Sequence, residues 1–339
     1  VISYSYQLIA PKIITPKLTP LTLSEDSVLI RPRYMAICHA DQRYYRGLRS
    51  AEILKKKLPM ALIHEACGEV VHDPKGVFAP GEQVVMIPNI PGRESDYVAE
   101  NYQKGSGFRA SGIDGFMQEF VLLPHDRVVS AQKAFDPAVL SITEFVSVAV
   151  HTVSRFLKKR VTPADTVGLW GDGCLGYVTA NVLRLMAPEA KLMIVGLSTD
   201  KLNLFSFAHK TYLNTELPAD FSVDHAFEIT GGGGCEFAMD DIIRYIAPEG
   251  TVMLMGVSEN KVPVMTRDVL EKGLTLVGSS RSGRQDFLEA VRLMEQPDFA
   301  KRLRLIISDV MKITSIRDIE HAFERDAVSP YKTVLDWRL

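Results

Sequence analysis

The chain has 339 residues, enough for two domains each with its own core, and its 46% hydrophobic and 24% charged residues are the balance of a soluble globular protein. A formal net charge of -2 offers no basic surface to nucleic acid or an anionic membrane, so the run Lys55-Lys56-Lys57 reads as a solvated face. No apolar stretch approaches the roughly 20 residues of a membrane-spanning helix, and the opening VISYSYQLIAPK has no basic segment followed by an apolar run, so a cytoplasmic protein is expected.

Short strands and turns are expected first. Residues 27–32 (SVLIRP) and 68–71 (GEVV) carry β-branched side chains, and 81–86 follow a proline-glycine turn. Two ligand-type residues fall in this part, Cys38 in ICHAD and His64 in LIHEACGEV. Residues 88–115, rich in glycine, proline and polar side chains, predict a long exposed loop. Glu144, in ITEFVSVAVH, stands at the start of an apolar helix. The cysteines, Cys38, Cys67, Cys174 and Cys235, form no C-x-x-C pair, which implies reduced thiols and excludes a four-cysteine structural zinc site. Taken singly, Cys38 reads as a small buried hydrophobe, His64 as a structural histidine and Glu144 as a helix cap. Together they are a thiolate, an imidazole and a carboxylate, a set that holds zinc while leaving one position open.

After about Val146 strand and helix alternate. A strand at 166–170 runs into GDGCLG, with Gly171, Gly173 and Gly176 in the G-x-G-x-x-G spacing around Cys174 and Leu175, and an apolar helix follows at 177–186. In that context Gly171 permits the tight turn, Gly173 lets a pyrophosphate approach the backbone, and Gly176 allows close helix packing. Further strands are expected at 191–195, 225–228, 251–255 and 275–277, with helices between them, giving a doubly wound parallel sheet. The end of the second strand, where an acid ordinarily holds the ribose hydroxyls of NAD, reads Val195-Gly196-Leu197-Ser198-Thr199-Asp200-Lys201. A glycine, the hydroxyls of Ser198 and Thr199 and the charge of Lys201 leave room for a 2′-phosphate, so NADPH is expected over NADH. From about Ser279 the tail contains two helical stretches and a last strand at 333–337. The order implies an α/β protein in which a β-rich domain (1–146) is interrupted by a dinucleotide domain (147–278) and completed by a return segment (279–339).

These motifs resemble the zinc-dependent medium-chain alcohol and polyol dehydrogenases. The family's C-x-x-D is matched by Cys38 with Asp41, its H-E-x-x-G-x-V by residues 64–70, and the E-P-L-S-V-x-x-H of its sorbitol dehydrogenase branch by residues 144–151. Within it, residues 34–45, 62–71, 112–123, 170–177 and 270–283 look like the bacterial ribulose-5-phosphate reductases that make ribitol 5-phosphate for teichoic acid, as does the lack of a structural zinc lobe after Pro88. The resemblance implies a GroES-like catalytic domain, a Rossmann domain, one catalytic Zn2+ on Cys38, His64 and Glu144, and NADPH along residues 171–176. It implies reduction of the C2 ketone of ribulose 5-phosphate, a homodimer, and a ribitol-5-phosphate cytidylyltransferase as the partner in CDP-ribitol synthesis.

Roles follow residue by residue. Asp41 is expected to orient the His64 ring, and Glu65 to bind zinc transiently or carry a proton. His39 and Lys332 are expected near the cofactor phosphates, and Gly256 with Val257 along the nicotinamide. Two positions depart from the family: Ala40 lacks the hydroxyl of the usual proton relay, and Arg43 replaces the histidine that ends it. Arg43 and Arg46 instead suit a substrate phosphate. The competing readings are another zinc polyol or polyol-phosphate dehydrogenase using NAD, and a non-catalytic NADPH-binding protein on the same fold.

Overall fold

A computed structural model describes residues 1–131, 136–159 and 165–339. The chain divides into two compact units, one made of Val1–Ser147 with Ser282–Leu339 and the other of Val148–Arg281.

The first unit is built on a seven-stranded sheet. Its main path runs Val128–Ser130, Gln83–Met86, Glu65–His72, Ser27–Ala36, Lys332–Trp337 and Ile307–Ile313, with Val121–Pro124 also paired to Ser27–Ala36. The chain's last strand lies antiparallel to Ser27–Ala36 with Val334 opposite Ala36. Leu8, Ile30, Met35, Phe116, Phe323 and Trp337 are buried together, so both ends of the chain share one core. Trp337 also donates its indole N–H to the Gln118 carbonyl at 3.0 Å.

Several elements here were not foreseen. Ile2–Ala10 and Ile13–Pro20 form an antiparallel hairpin, and the tail carries the strand Ile307–Ile313 and three helices, Arg284–Met294, Pro297–Arg304 and Ile316–Asp326. The segment expected as an exposed loop after Pro88 is partly built in: Asn89–Ile90 pairs with Gly107–Phe108, and Asn89, Asn101 and Ala110 are buried.

The second unit is a six-stranded parallel sheet in the order Lys210–Leu213, Lys191–Gly196, Thr166–Trp170, His225–Glu228, Thr251–Leu254, Thr275–Gly278. In chain sequence that is 3-2-1-4-5-6, the doubly wound order with its switch point beside the first strand. Central strands buried on both faces explain the near-continuous apolar runs read from the sequence. The helix Gly234–Tyr245 packs Ala238, Met239 and Ile242 against Trp170, Val195 and Val252. Between the second and third strands the helix is only Thr199–Leu202, shorter than a full crossover helix.

Candidate active site

Cys38 caps the short helix His39–Tyr45, which follows the strand Ser27–Ala36. Asp41 lies in that helix's first turn and is 1% exposed. Its carboxylate accepts the Cys38 N–H at 3.1 Å and the Ile63 N–H at 3.0 Å. Ile63 has φ +68°, a strained value for a β-branched residue, so this bond holds a turn the chain would not adopt unaided. One buried carboxylate thereby pins both segments that carry ligands. Cys38 Sγ, a His64 ring nitrogen and a Glu65 carboxylate oxygen come within 4.8 Å of one another. Asp41 was expected to orient the His64 ring; Nδ1 lies 3.8 Å from Oδ1, an ion-pair distance, and the hydrogen bonds of Asp41 go to main chain. Burial lowers the His64 pKa, yet Asp41, Cys38 and Glu144 outweigh it and hold it well above the usual histidine value.

Glu65 is fully buried, and its Oε1 accepts from Lys332 Nζ at 2.8 Å. Lys332 also donates to the Ile37 carbonyl at 3.2 Å and stands 4.3 Å above the Phe145 ring. Burial raises the Glu65 pKa, with the Lys332 ammonium opposing it. Sequence likeness put Lys332 near the cofactor phosphates; in the structure its ammonium bonds Glu65. The pairing of Val334 with Ala36, followed two residues further, brings Lys332 level with Cys38, within reach of the Ile37 carbonyl and Glu65.

Glu144, in the first turn of the helix Thr143–Leu157, is also buried. Burial pushes its carboxyl up to about 7, against the pull of His64 and with the push of Glu65. It thus belongs to the same electrostatic neighbourhood. Among the described residues the close set is Cys38, His64 and Glu65, three of the four residues that the sequence offers to the metal, with Glu144 as the fourth. This set fits a zinc ion. Its donors are a thiol, an imidazole and a carboxylate, and the buried His64 Nδ1 and Glu65 Oε2 have no hydrogen-bond partner.

The same short helix carries positive charge. His39 has its pKa lowered by partial desolvation and then by Arg43, with smaller pushes from Arg46 and Arg49. Arg43 is half-buried, Arg46 is exposed at the helix C-cap, and Arg49 covers the Tyr44 ring at 5.1 Å. His39, Arg43 and Arg46 therefore share one basic patch next to the cysteine.

In the second unit, Gly171 has φ +136°, and a Cβ on Gly176 would run into the Gly171 carbonyl, so both glycines are required by the turn. A Cβ on Gly173 would meet open space. The turn opens the helix Cys174–Met186, which contains Leu175, and borders a cavity of about 450 Å³ lined by Gly171, Asp172, Gly173, Lys201, Thr230 and Phe237, among others. Ser198 and Thr199 do not line it: Ser198 Oγ accepts the Lys201 N–H at 3.4 Å as a helix cap, and Thr199 is exposed. Gly256 and Val257 follow the fifth strand, with the Val257 carbonyl bonded to Gly232 N at 2.9 Å. A glycine turn with an open approach beside a cavity of this size fits a dinucleotide.

Sequence reasoning missed Asp172. Its Oδ2 accepts the Leu197 and Ser198 amides, both at 2.8 Å, and a Cβ on Gly196 would strike its carboxylate. Asp172, inside the glycine turn, thus holds the main chain just past the end of the second strand. The paired signal, an acid inside the motif and a glycine at the strand end, was visible in the sequence.

The alcohol dehydrogenase GroES-like domain family matches residues 24–133. The chain is 48% identical to a ribulose-5-phosphate reductase of Streptococcus pneumoniae, covering 100% of this chain and 98% of that protein. It is likewise 48% identical to ribulose-5-phosphate reductase 1 of Staphylococcus aureus, covering 99% of each. The crystal structure of S. aureus TarJ in complex with NADPH has a TM-score of 0.90 and 44% identity, with 100% of both chains covered. L-idonate 5-dehydrogenase of Escherichia coli, at 19% identity and a TM-score of 0.86 over 99% of this chain and 98% of that one, shares the fold. Fold and site define a zinc-type medium-chain dehydrogenase. Within that class, the chain belongs to the ribulose-5-phosphate reductase family.

Proposed function

We propose that this protein reduces D-ribulose 5-phosphate to D-ribitol 5-phosphate with NADPH at one catalytic zinc, held by Cys38, His64 and Glu65 with Glu144 beside them. The observation that carries this reading is the union of two chemistries on one short helix: Cys38 caps it, Arg43 lies in its last turn and Arg46 at its C-cap. Five helical residues rise roughly 7 Å, a distance of the order of a pentulose phosphate from ketone to phosphate. When bound, zinc supplies a Lewis acid and NADPH the hydride. The chain's own residues do the rest. Asp41 keeps the cysteine and histidine segments in register. Arg43 and Arg46 take the phosphate dianion. With Ala40 unable to relay a proton, Glu65 Oε2 would hold the proton for the new hydroxyl when that oxygen is off the metal, while Lys332 keeps Oε1 in place. In the second unit, residues 171–176 take the pyrophosphate, and Lys201, the Ser198 cap and Asp172 shape the end near the 2′-phosphate.

The finer parts of the reading are a homodimer through the edge strand Thr275–Gly278, a reducing cytoplasmic location suited to a metal-binding thiol, and a ribitol-5-phosphate cytidylyltransferase that consumes the product. Sugar phosphate, not nucleic acid or membrane, is the partner that a net charge of -2 and a local arginine pair accommodate. The test is NADPH and NADH oxidation against ribulose 5-phosphate, xylulose 5-phosphate and unphosphorylated ribulose, with zinc analysis of the same sample. Ribulose 5-phosphate with NADPH is expected to dominate. Replacing Arg43 and Arg46 by Ala should raise KM for the sugar phosphate about tenfold or more, the equivalent of about 1.4 kcal/mol, and leave ribulose within about twofold. Equal changes for both substrates would remove the arginines from the phosphate site.

A further inference from the structure

A buried carboxylate in the second unit has no part in the chemistry described so far. Glu228, the last residue of the strand His225–Glu228, is 1% exposed. Its Oε1 accepts the Thr230 amide at 2.9 Å, the Thr230 hydroxyl and the Gly231 amide at 3.3 Å. Its Oε2 accepts the Gly256 amide at 3.1 Å. The Cys235 thiol bonds to it too; burial, and then this bond, push that thiol up to about 11. Gly256 has no room for a side chain, because a Cβ there would run into both Glu228 oxygens and the Gly231 nitrogen. One carboxylate thus ties together the turns that leave two adjacent parallel strands, His225–Glu228 and Thr251–Leu254. Gly231 and Gly232, at φ +67° and +54°, give the first turn the shape that lets Gly232 N reach the Val257 carbonyl.

The placing matters because a dinucleotide runs along the carboxyl ends of such strands, and Thr230 and Gly231 line the cavity there. A buried carboxylate is costly unless its oxygens are engaged. Here the amides of Thr230, Gly231 and Gly256 in the two turns engage them, with the Thr230 hydroxyl and the Cys235 thiol beside them. Its effect is to fix backbone.

We propose that Glu228 is a positioning residue for hydride transfer, setting the Gly256–Val257 and Thr230–Gly231 backbone against which the nicotinamide end of NADPH is held. The proposal rests on the NADPH reading above. Glu228→Gln keeps the shape but turns an N–H toward donors that need an acceptor, at Gly256 or at Thr230, and so displaces one turn. The glycine turn at 171–176 is left intact.

The test compares zinc-loaded wild type with E228Q by NADPH affinity from coenzyme fluorescence, kcat with ribulose 5-phosphate, the primary isotope effect from 4-deuterated NADPH, and amide exchange of residues 229–232 and 255–257. Expected are a Kd for NADPH within about threefold of wild type, a kcat lower by about tenfold or more, a larger isotope effect and faster exchange in those two segments. Gly256→Ala, which pushes the same backbone from the other side, should give the same kcat-selective loss and decides alone if E228Q fails to fold. A variant that keeps wild-type kcat while melting lower would make Glu228 a stability residue and overturn the proposal. Loss of NADPH affinity in proportion to kcat would overturn it as well. Should wild type oxidise NADPH with none of the ketose phosphates, the functional reading fails. The proposal then stands or falls on whether bound NADPH protects residues 255–257 in wild type and not in E228Q.

Discussion

Glu65 and Glu144 are both buried within electrostatic reach of His64, yet only Glu65 brings an oxygen within 4.8 Å of both the cysteine and the imidazole. The likeness to the sorbitol dehydrogenase branch points to Glu144, and the geometry points to Glu65. We predict that Glu65→Ala removes zinc more completely than Glu144→Ala. The second change acts through a neighbour of the ligands and costs about 10–100-fold in metal affinity or turnover. Zinc per chain after dialysis against graded chelator measures this, and the reverse order would restore Glu144 to the ligand set. The candidate residues themselves were legible because each sits in a local motif. Their spatial grouping was not, since Lys332 meets Glu65 across 267 residues of chain.

Single acids also organise whole turns. Asp73, just after the strand Glu65–His72, accepts the amides of Lys75 at 3.0 Å and Phe78 at 2.9 Å and pairs with His125 at 2.7 Å. Burial would raise its pKa, but the Phe78 amide, His125 and the Lys75 amide outweigh it and hold it down at about 2. A depressed carboxylate stabilises the fold above its unfolded pKa, and the contribution disappears as pH falls through the folded value. Asp73→Asn should therefore lower stability by about 1–3 kcal/mol at neutral pH, with the gap to wild type closing from about pH 4 towards 2. Urea midpoints across that range test it; a gap that widened in acid would refute the assignment. At this scale five of the six strands of the second unit's parallel sheet were readable, being short apolar runs between turn signals; Lys210–Leu213, exposed or half-buried and without such a run, was not. The N-terminal hairpin escaped because Ile13–Pro20 is mostly exposed and carries two prolines, and its turn depends on Lys12 at φ +63°. The strand Ile307–Ile313 escaped because its middle residues are exposed or half-buried, leaving no apolar run to read.

Over the whole molecule, the second unit's sheet ends in Thr275–Gly278, which among the described residues pairs only with Thr251–Leu254. Leu276 on that strand and Leu270 in the preceding helix are exposed. A bare edge with apolar side chains beside it is a surface that proteins ordinarily cover. We predict that the 37.7 kDa chain sediments as a dimer and that Leu276→Lys shifts it to monomer; a wild-type monomer at micromolar concentration would reject the edge as an interface. Among the described residues no helix is long and apolar enough to cross a membrane. The sequence by itself determined the class of chemistry and the doubly wound sheet, because ligand motifs, the glycine turn and strand-helix alternation are written in residues a few positions apart. Only the tertiary structure decided that Glu65 stands with Cys38 and His64, that Lys332 serves Glu65, and that Asp172 and Glu228 hold the turns at the strand ends. Those facts depend on register between distant segments, where one residue of slip exchanges the faces of a strand and no local pattern records the choice.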